Sequence, residues 1–93
     1  MTIVWSEYFR RAFKRLVRKN PEMQEDILNI LDDLAQDPFT PALKTHKLKG
    51  NLQGSWACSV GYDCRITFEL QQDKDSGESF ILLVDIGSHD DVY

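Results

Sequence analysis

Apolar residues recur along this chain with two different periods, and the change of period separates a helical region from a strand region. Between residues 7 and 36 they recur every three or four positions, which is typical of amphipathic helices. Between 55 and 86 they recur mainly every second position, which predicts strands. A β-branched and aromatic stretch at 2–5 adds a strand ahead of the helices. We therefore predict one α+β domain, 1–93, with an N-terminal strand and an antiparallel two-helix hairpin packed on a mainly antiparallel four- to five-stranded sheet.

The joint between the two predicted helices is short. Ser6 is a favourable N-cap for the first helix. We expect Asn20 to cap the second helix and Pro21 to occupy its first position. Two amphipathic helices joined in this way should form an antiparallel hairpin. The apolar stripes are Phe9, Ala12, Phe13, Leu16 and Val17 in the first helix, and Met23, Ile27, Ile30, Leu31 and Leu34 in the second.

The strands that follow are predicted at 44–49, 55–60, 64–71 and 79–86, and the register of one hairpin can be predicted from its apolar positions. With a three-residue turn at 61–63, Ser59 lies opposite Arg65 and every apolar side chain lies on the other face. A two-residue turn would set Cys58 against Arg65 and divide the apolar set. We therefore expect Arg65 and Thr67 on the face away from the core. The expected pairs are Val60–Cys64, Ser59–Arg65 and Cys58–Ile66.

The last predicted strand is apolar on both faces. This composition indicates an interior strand that is covered, at least partly, on both sides. Strict alternation would put Phe80, Leu82, Val84 and Ile86 on one face, with Ile81 and Leu83 on the other.

Composition excludes several classes of protein. No apolar run approaches the about 20 residues that a membrane span needs, and the N-terminus does not resemble a secretory signal, so we expect a cytoplasmic protein without membrane association. Cys58 and Cys64 are too few for a disulfide framework or a metal site, and we expect free, partly buried thiols.

Charge is distributed unevenly along the chain. The net charge is −4, yet residues 7–19 carry six basic residues against one acid, and 22–37 carry six acids and no base. A second basic group follows at Lys44, Lys47, Lys49 and Arg65. Because salt screens charges over about 8 Å, a local basic surface can bind an anion on a globally acidic protein.

Three short motifs carry a resemblance to a known family. They are His-Lys-Leu-Lys-Gly at 46–50, Tyr-Asp-Cys-Arg-Ile at 62–66 and Ile-Gly-Ser-His-Asp-Asp-Val-Tyr at 86–93, with Trp56 between the first two. As an ordered set, and over the whole chain, they resemble the RelE/ParE toxin superfamily. Within it the chain is most similar to the RelE/StbE and YafQ-type mRNA interferases of type II toxin–antitoxin systems.

The resemblance implies a metal-independent endoribonuclease without a cofactor, paired with a cognate antitoxin protein. Such toxins cut mRNA, typically in the A site of the 30S ribosomal subunit. The ribose 2′-hydroxyl attacks the adjacent phosphate and expels the 5′-oxygen. This reaction needs a base, an acid and cations for the additional phosphate charge.

Five residues match catalytic positions of the family. His46 and His89 would supply the base and the acid, in an order that the resemblance leaves open. Asp63 matches a carboxylate of the YafQ-type branch, and Arg65 matches the arginine that binds phosphate in RelE. Tyr93 matches the terminal aromatic residue, which stacks on a base or assists proton transfer.

Further residues are expected to contact RNA. Lys47 and Lys49 would contact the RNA backbone, and Ser59 stands where the YafQ-type branch carries another histidine. Family analogy extends ribosomal-RNA contact to the basic face of the first helix, at Arg10, Arg11 and Lys14. Two departures from the family are Ala57, at the place of an acidic residue, and a composition much less basic than that of RelE.

Each of these features also has a structural reading, and the function has alternatives. Arg65 could pair with Glu69, the lysines could protect a strand edge, and Asp63 could serve a turn. The same fold in ParE-like toxins inhibits DNA gyrase without cleaving anything, although ParE-type chains generally lack the two histidines and the terminal aromatic. A third possibility is an inactive remnant that only binds its antitoxin.

Overall fold

A computed structural model describes residues 1–50, 54–61 and 63–88. Within these residues the strands form one five-stranded sheet in the order β1-β5-β4-β3-β2. The β1–β5 pair is parallel and the other pairs are antiparallel. The predicted α+β architecture is confirmed. The elements are β1 (Thr2–Trp5), α1 (Glu7–Lys19), α2 (Met23–Gln36), a 3-10 helix (Pro41–Leu43), β2 (His46–Lys47), β3 (Trp56–Val60), β4 (Cys64–Gln72) and β5 (Ser79–Ser88).

The first helix begins as predicted. The Ser6 hydroxyl accepts a hydrogen bond from the Phe9 N–H at 3.0 Å, which satisfies one of the donors that a helix leaves unpaired at its N-terminus. Trp5 then packs edge-to-face on Phe9, with ring centroids 5.0 Å apart, so the end of β1 is fixed against the start of α1.

The predicted start of the second helix is wrong. Asn20 ends α1, because its backbone N–H donates to the Leu16 carbonyl at 2.9 Å. Its side chain also points back to that carbonyl, at 3.5 Å. Asn20 is therefore occupied in closing the first helix, and Pro21 lies in the turn. The second helix begins at Met23, with Glu22 at an N-cap position where no side-chain hydrogen bond forms.

Both helices pack on one face of the sheet, which we call the core face. Both apolar stripes face the sheet, as predicted. Trp56, Cys58 and Val60 of β3 share this face with Ile66 and Phe68 of β4, as their register requires. The largest fully buried side chains are Phe9, Phe68, Ile27, Leu34, Leu43, Ile66, Ile81, Leu83 and Cys58.

The β3–β4 hairpin has the predicted register. Ser59 pairs with Arg65, and Val60 pairs with Cys64. Cys58 and Cys64 are free and buried within the core. Burial raises the pKa of the Cys58 thiol to about 12 and that of the Cys64 thiol to about 11.

The last strand is interior, as predicted, but its faces change partway along. Phe68 pairs with Leu83 whereas Thr67 pairs with Asp85, so Val84 is an extra residue that forms a β-bulge. Ile86 consequently lies on the core face with Leu83 and is 4% exposed. The prediction that Ile86 shares a face with Phe80, Leu82 and Val84 is wrong for this reason.

The strand predicted at 44–49 is reduced to two residues. Lys44 ends the 3-10 helix with a left-handed backbone at φ 53°, and β2 then pairs with β3 through His46 and Lys47 only. The pairing continues as one hydrogen bond from the Leu48 N–H to the Ser55 carbonyl, at 2.9 Å. In the part of the chain that the structure describes, no helix is long and apolar enough to cross a membrane.

Candidate functional site

The sheet face away from the helices, which we call the far face, carries the predicted phosphate-binding residue. Residues opposite each other in an antiparallel pair project to the same side of the sheet. Because Arg65 alternates with the core residues Cys64 and Ile66, it projects to the far face. The pairings align two rows across the strands: Ser59, Arg65 and Gly87 form one, and His46, Ala57, Thr67 and Asp85 form the next.

Arg65 stands at the centre of this face without an acidic partner among the described residues. Its side chain is half-buried, and its Nε is inaccessible to solvent and has no hydrogen-bond acceptor. Its Nη1 makes one long hydrogen bond of 3.4 Å, to the Cys64 carbonyl of its own strand. The expected alternative of a pair with Glu69 is not formed, because Glu69 accepts a hydrogen bond from Gln71 instead, at 2.6 Å.

Thr67 adds a second unsatisfied polar group beside Arg65. It lies two residues further along β4 on the same face, is 3% exposed, and its hydroxyl has no hydrogen-bond partner among the described residues. Leaving a buried polar group unsatisfied costs about 1–3 kcal/mol. Two such groups on one face of a central strand make this face a candidate binding site for a polar group, and Asp85 lies opposite Thr67 in the same row. Thr67 is not among the site residues predicted from sequence. Its spacing of two residues from Arg65 predicts only that the two side chains share this face.

His46 is exposed on β2, the strand that forms one edge of the far face. Its Nδ1 lies 3.0 Å from the Lys44 carbonyl. A carbonyl can only accept a hydrogen bond, so Nδ1 carries the proton and Nε2 of the neutral ring carries the lone pair. His46 lies two strands from Arg65 and two residues along, which places their Cα atoms about 12 Å apart on ordinary sheet spacings.

The two predicted lysines differ in position. Lys47 faces the side of the sheet opposite His46, and its Nζ lies 5.4 Å from the centre of the Trp56 ring. Trp56 is half-buried and also packs edge-to-face on Phe39, with centroids 5.1 Å apart. Lys49 is exposed just beyond β2. The structure therefore does not bring Lys47 to Arg65.

Asp63 also lies away from the far face. It is exposed in the turn between β3 and β4, where it lines a cavity of about 710 Å³ beside Asn20 and Met23. Its charge contributes to raising the pKa of the neighbouring Cys64 thiol, after the larger effect of burial. The structure thus places Asp63 near the helix joint rather than beside His46.

The two remaining predicted catalytic residues, His89 and Tyr93, lie outside the described residues. The same is true of Tyr62 in the second motif. Among the residues that the structure does describe, no group of three or more His, Cys, Asp or Glu side chains is placed to hold a metal ion.

The basic residues of α1 divide between two faces of the helix. Arg10, Arg11 and Lys14 are exposed, as a solvated helix face requires. Arg15 and Lys19 instead line a groove of about 520 Å³ between α1 and the end of β5. Neither of these two residues was predicted as a site residue, nor was Tyr8, which lines the same groove.

Comparison with solved structures defines the class of fold. The chain is similar to YafQ from E. coli, with a TM-score of 0.79, 17% identity, and coverage of 98% of this chain and 96% of that one. A metal-bound toxin from Helicobacter pylori gives a TM-score of 0.77 at 26% identity, with 100% and 99% covered. The E. coli DinJ–YafQ complex gives 0.75 at 17% identity, with 98% and 96% covered. The fold is that of the small RelE-like toxins.

The family follows from the sequence itself. Residues 1–93 match the model of the family described as the bacterial toxin of type II toxin–antitoxin system, YafQ. This chain belongs to the YafQ toxin family, and it is the toxin of a type II toxin–antitoxin system. No curated protein sequence matches it closely enough to add a further comparison.

Proposed function

We propose that this toxin is a metal-independent endoribonuclease that cuts mRNA in the A site of the 30S ribosomal subunit. The observation that carries the proposal is that the inaccessible Nε of Arg65 and the buried hydroxyl of Thr67 have no hydrogen-bond partner among the described residues. A phosphodiester offers the oxygen acceptors that both groups lack. Arginine also matches the geometry of a phosphate through two parallel hydrogen bonds.

The reaction is an attack of the ribose 2′-oxygen on the adjacent phosphorus. The P–O2′ bond forms, the P–O5′ bond breaks, and the product is a 2′,3′-cyclic phosphate. The base removes the 2′-hydroxyl proton and the acid protonates the departing 5′-oxygen. Arg65 stabilises the additional negative charge on the phosphate in the transition state.

His46 is assigned as the base, because its Nδ1–H is directed to the Lys44 carbonyl and Nε2 is the nitrogen that can accept a proton. His89 is assigned as the acid, because a protonated imidazole can donate to the departing 5′-oxygen. Tyr93 would stack on a neighbouring base. Asp63 is assigned to the turn, and Asp63→Asn tests whether its carboxylate contributes to the rate.

The proposed protein partner is a cognate antitoxin. E. coli YafQ forms a complex with DinJ, and a chain of the same family is expected to be neutralised in the same general way. The exposed side chains of Leu28 and Phe39 offer apolar surface for such a partner.

The decisive experiment is cleavage of a defined mRNA by purified protein, with and without ribosomes, and without ribosomes also in the presence of EDTA. Arg65→Ala should lower the cleavage rate about 100- to 1,000-fold, the scale for losing one charge-stabilising donor. Arg65→Lys should recover only part of the rate, because lysine cannot bind phosphate in bidentate fashion. Gln71→Ala, on the same strand and face but exposed, is the matched control.

A fully active Arg65→Ala variant would overturn the assignment of the site. Absence of cleavage by the wild-type protein, with gyrase inhibition in its place, would put this toxin in the ParE-like functional class. Loss of cleavage on adding EDTA to the ribosome-free assay would contradict the metal-independent reaction; EDTA is left out of the ribosome assay because ribosomes themselves need Mg²⁺.

The roles of the histidines are separated by an RNA with a sulfur-substituted 5′ leaving group. This group departs without needing a proton, so the substrate should restore cleavage by His89→Ala but not by His46→Ala. Rescue of His46→Ala instead would exchange the two roles. Deletion of Tyr93 should abolish most cleavage and leave antitoxin binding intact.

A further inference from the structure

The groove between α1 and the end of β5 has the composition of a binding site for nucleic acid. Its volume of about 520 Å³ falls within the range of about 300–1,000 Å³ usual for ligand sites. Tyr8, Arg15 and Lys19 line its helix side, and residues 85–87 line its sheet side. It therefore joins one aromatic ring and two cations in a single concave surface.

Helical spacing explains why these three side chains line the same groove. Tyr8, Arg15 and Lys19 lie at positions i, i+7 and i+11, which fall in one stripe along the helix and span about 16 Å. Ala12 occupies i+4 in the same stripe and is small and buried, so it forms the floor of the groove. Tyr8 is 62% exposed, and Arg15 and Lys19 are also exposed.

The groove ends beside the strand that carries the proposed phosphate site. Gly87 lines the groove and pairs with Arg65 across the β4–β5 ladder, a distance of about 4.8 Å between strands. Arg65 projects to the far face, so an RNA strand in the groove would reach it by passing around the edge of β5 at Gly87, a residue without a side chain. Within the described residues, β1 pairs only with 80–83 of β5, so the outer edge of β5 beyond Leu83 faces the groove rather than another strand.

We propose that this groove binds the RNA strand on one side of the cleaved phosphate, an inference that rests on the ribonuclease function proposed above. Tyr8 stacks on a base, and Arg15 and Lys19 bind phosphates of the flanking nucleotides. An exposed aromatic ring together with cations that follow a strand is how single-stranded nucleic acids are held without a sequence preference. The carboxylate of Asp85 lies on the sheet side, so the phosphates run along the helix side.

The competing occupant is an acidic segment of the antitoxin. Two observations favour RNA. Tyr8 presents a flat, exposed ring of the kind on which bases stack, and the groove reaches Gly87, the residue that pairs with Arg65. Antitoxin binding is therefore measured in parallel. Loss of antitoxin binding with normal RNA binding would contradict the proposal.

The experiment measures binding of RNA oligonucleotides that carry a 2′-O-methyl group at the attacking position and so cannot be cleaved. Each oligonucleotide is extended stepwise on one side of the scissile phosphate, and fluorescence anisotropy gives Kd over a range of salt concentrations. The variants are Tyr8→Ala, Tyr8→Phe and Arg15→Ala. Arg18→Ala is the matched control, because it removes the same charge from the same helix outside the groove.

We expect Tyr8→Ala to weaken binding about tenfold, the scale of one base–aromatic stack, and Tyr8→Phe to bind like the wild type. Arg15→Ala should reduce the slope of log K against log salt by about one, as the loss of one phosphate contact does. These losses should appear only for RNA extended on one side. Arg18→Ala should leave Kd for both series within about twofold.

The inference is wrong if the wild type does not bind these oligonucleotides, or if Tyr8→Ala and Arg15→Ala behave like Arg18→Ala. It is also wrong if the variants bind RNA normally but lose the antitoxin. Failure of the ribonuclease proposal is a separate result, since it appears as absent cleavage by the wild type on an unmodified message. Circular dichroism confirms that each variant is folded.

Discussion

At the scale of single residues, the far face of the sheet holds polar groups without hydrogen-bond partners among the described residues. A surface arginine can turn to water, whereas the Nε of Arg65 is inaccessible and Thr67 is 3% exposed. Buried polar groups in proteins nearly always have a partner. The isolated toxin is therefore less stable than its packing would permit, and binding of an anion should recover part of that difference.

Replacing Thr67 should show how much stability its unsatisfied hydroxyl costs. Thr67→Val keeps the shape of the side chain and removes the unsatisfied hydroxyl, so the free energy of unfolding should rise by about 1 kcal/mol. For a domain of this size that corresponds to an increase in Tm of about 4–8 °C. Calorimetry on the isolated toxin measures it.

Thr45→Val is the matched control for this substitution. Thr45 is half-buried and its hydroxyl donates to the Pro38 carbonyl, so the same change there should lower Tm. If Thr67→Val and Thr45→Val both lower Tm, the Thr67 hydroxyl has a hydrogen-bond partner in the folded toxin. That result would contradict the proposed anion site.

The pKa values of the two buried thiols predict that the free energy of unfolding falls at alkaline pH. An unfolded thiol ionises near pH 9.0, whereas Cys58 and Cys64 have pKa values raised to about 12 and about 11 by burial. Below pH 9 the thiols are protonated in both states and contribute no pH dependence. Above it only the unfolded chain releases these protons, so stability falls by up to about 1.4 kcal/mol per pH unit for each thiol.

Thermal melts between pH 8 and pH 10.5 check this expectation. Cys58→Ala should lower stability at pH 8 because it leaves a small cavity, but its Tm should fall less steeply with pH than that of the wild type. Tyrosine and lysine titrations are common to both proteins and cancel in the comparison. Parallel slopes would contradict the assigned pKa shift of Cys58.

At the scale of secondary-structure elements, the two helices begin differently and should respond differently to mutation. Ser6→Ala removes the hydrogen bond from the Phe9 N–H and should cost about 1 kcal/mol, or about 4–8 °C in Tm. Glu22 occupies the equivalent position of α2 without a side-chain hydrogen bond. Glu22→Ala should therefore lower the free energy of unfolding by only a few tenths of a kcal/mol. Equal losses for Ser6→Ala and Glu22→Ala would show that Ser6 does not act as an N-cap.

The elements were predictable wherever the sequence allowed one arrangement only. In the β3–β4 hairpin a shift by one residue would have divided the apolar set, and the register that avoids this is the observed one. In β5 both faces are apolar, so alternation carries no information about which residues face the helices. The bulge at Val84, and with it the inward position of Ile86, could not be predicted for that reason.

The site was predictable to the same extent. The far-face position of Arg65 follows from the hairpin register, whereas His46 was selected from its motif and its role stays a prediction. The burial of the Arg65 guanidinium and the pairing of Gly87 with Arg65 depend on how β5 joins β4, which local pattern does not encode. Neither the groove beside α1 nor the role of Thr67 could therefore be predicted.

At the scale of the whole molecule, the uneven charge is arranged around the proposed RNA path. The net charge of −4 comes largely from α2, whereas the cations lie on α1 and around the sheet. The toxin can thus attract RNA on one side while remaining acidic overall, since screening makes the nearby charges dominate.

Expression of the toxin alone should test the function of the whole molecule in cells. We expect growth to stop, and co-expression of the small gene beside it to restore growth. Arg65→Ala should be harmless while still binding that partner. Growth arrest by Arg65→Ala at the wild-type level would show that toxicity does not depend on phosphate binding.

The bulge at Val84 also divides β5 into two segments with different strand partners. Residues 80–83 lie between two strands, β1 and β4, whereas 85–88 have a strand partner on one side only among the described residues. Amide hydrogens in the first segment should exchange with solvent only when the whole domain unfolds, and those in the second should exchange through smaller local openings. One continuous strand would then contain both the slowest-exchanging part of the toxin and a part able to adjust around a bound RNA strand.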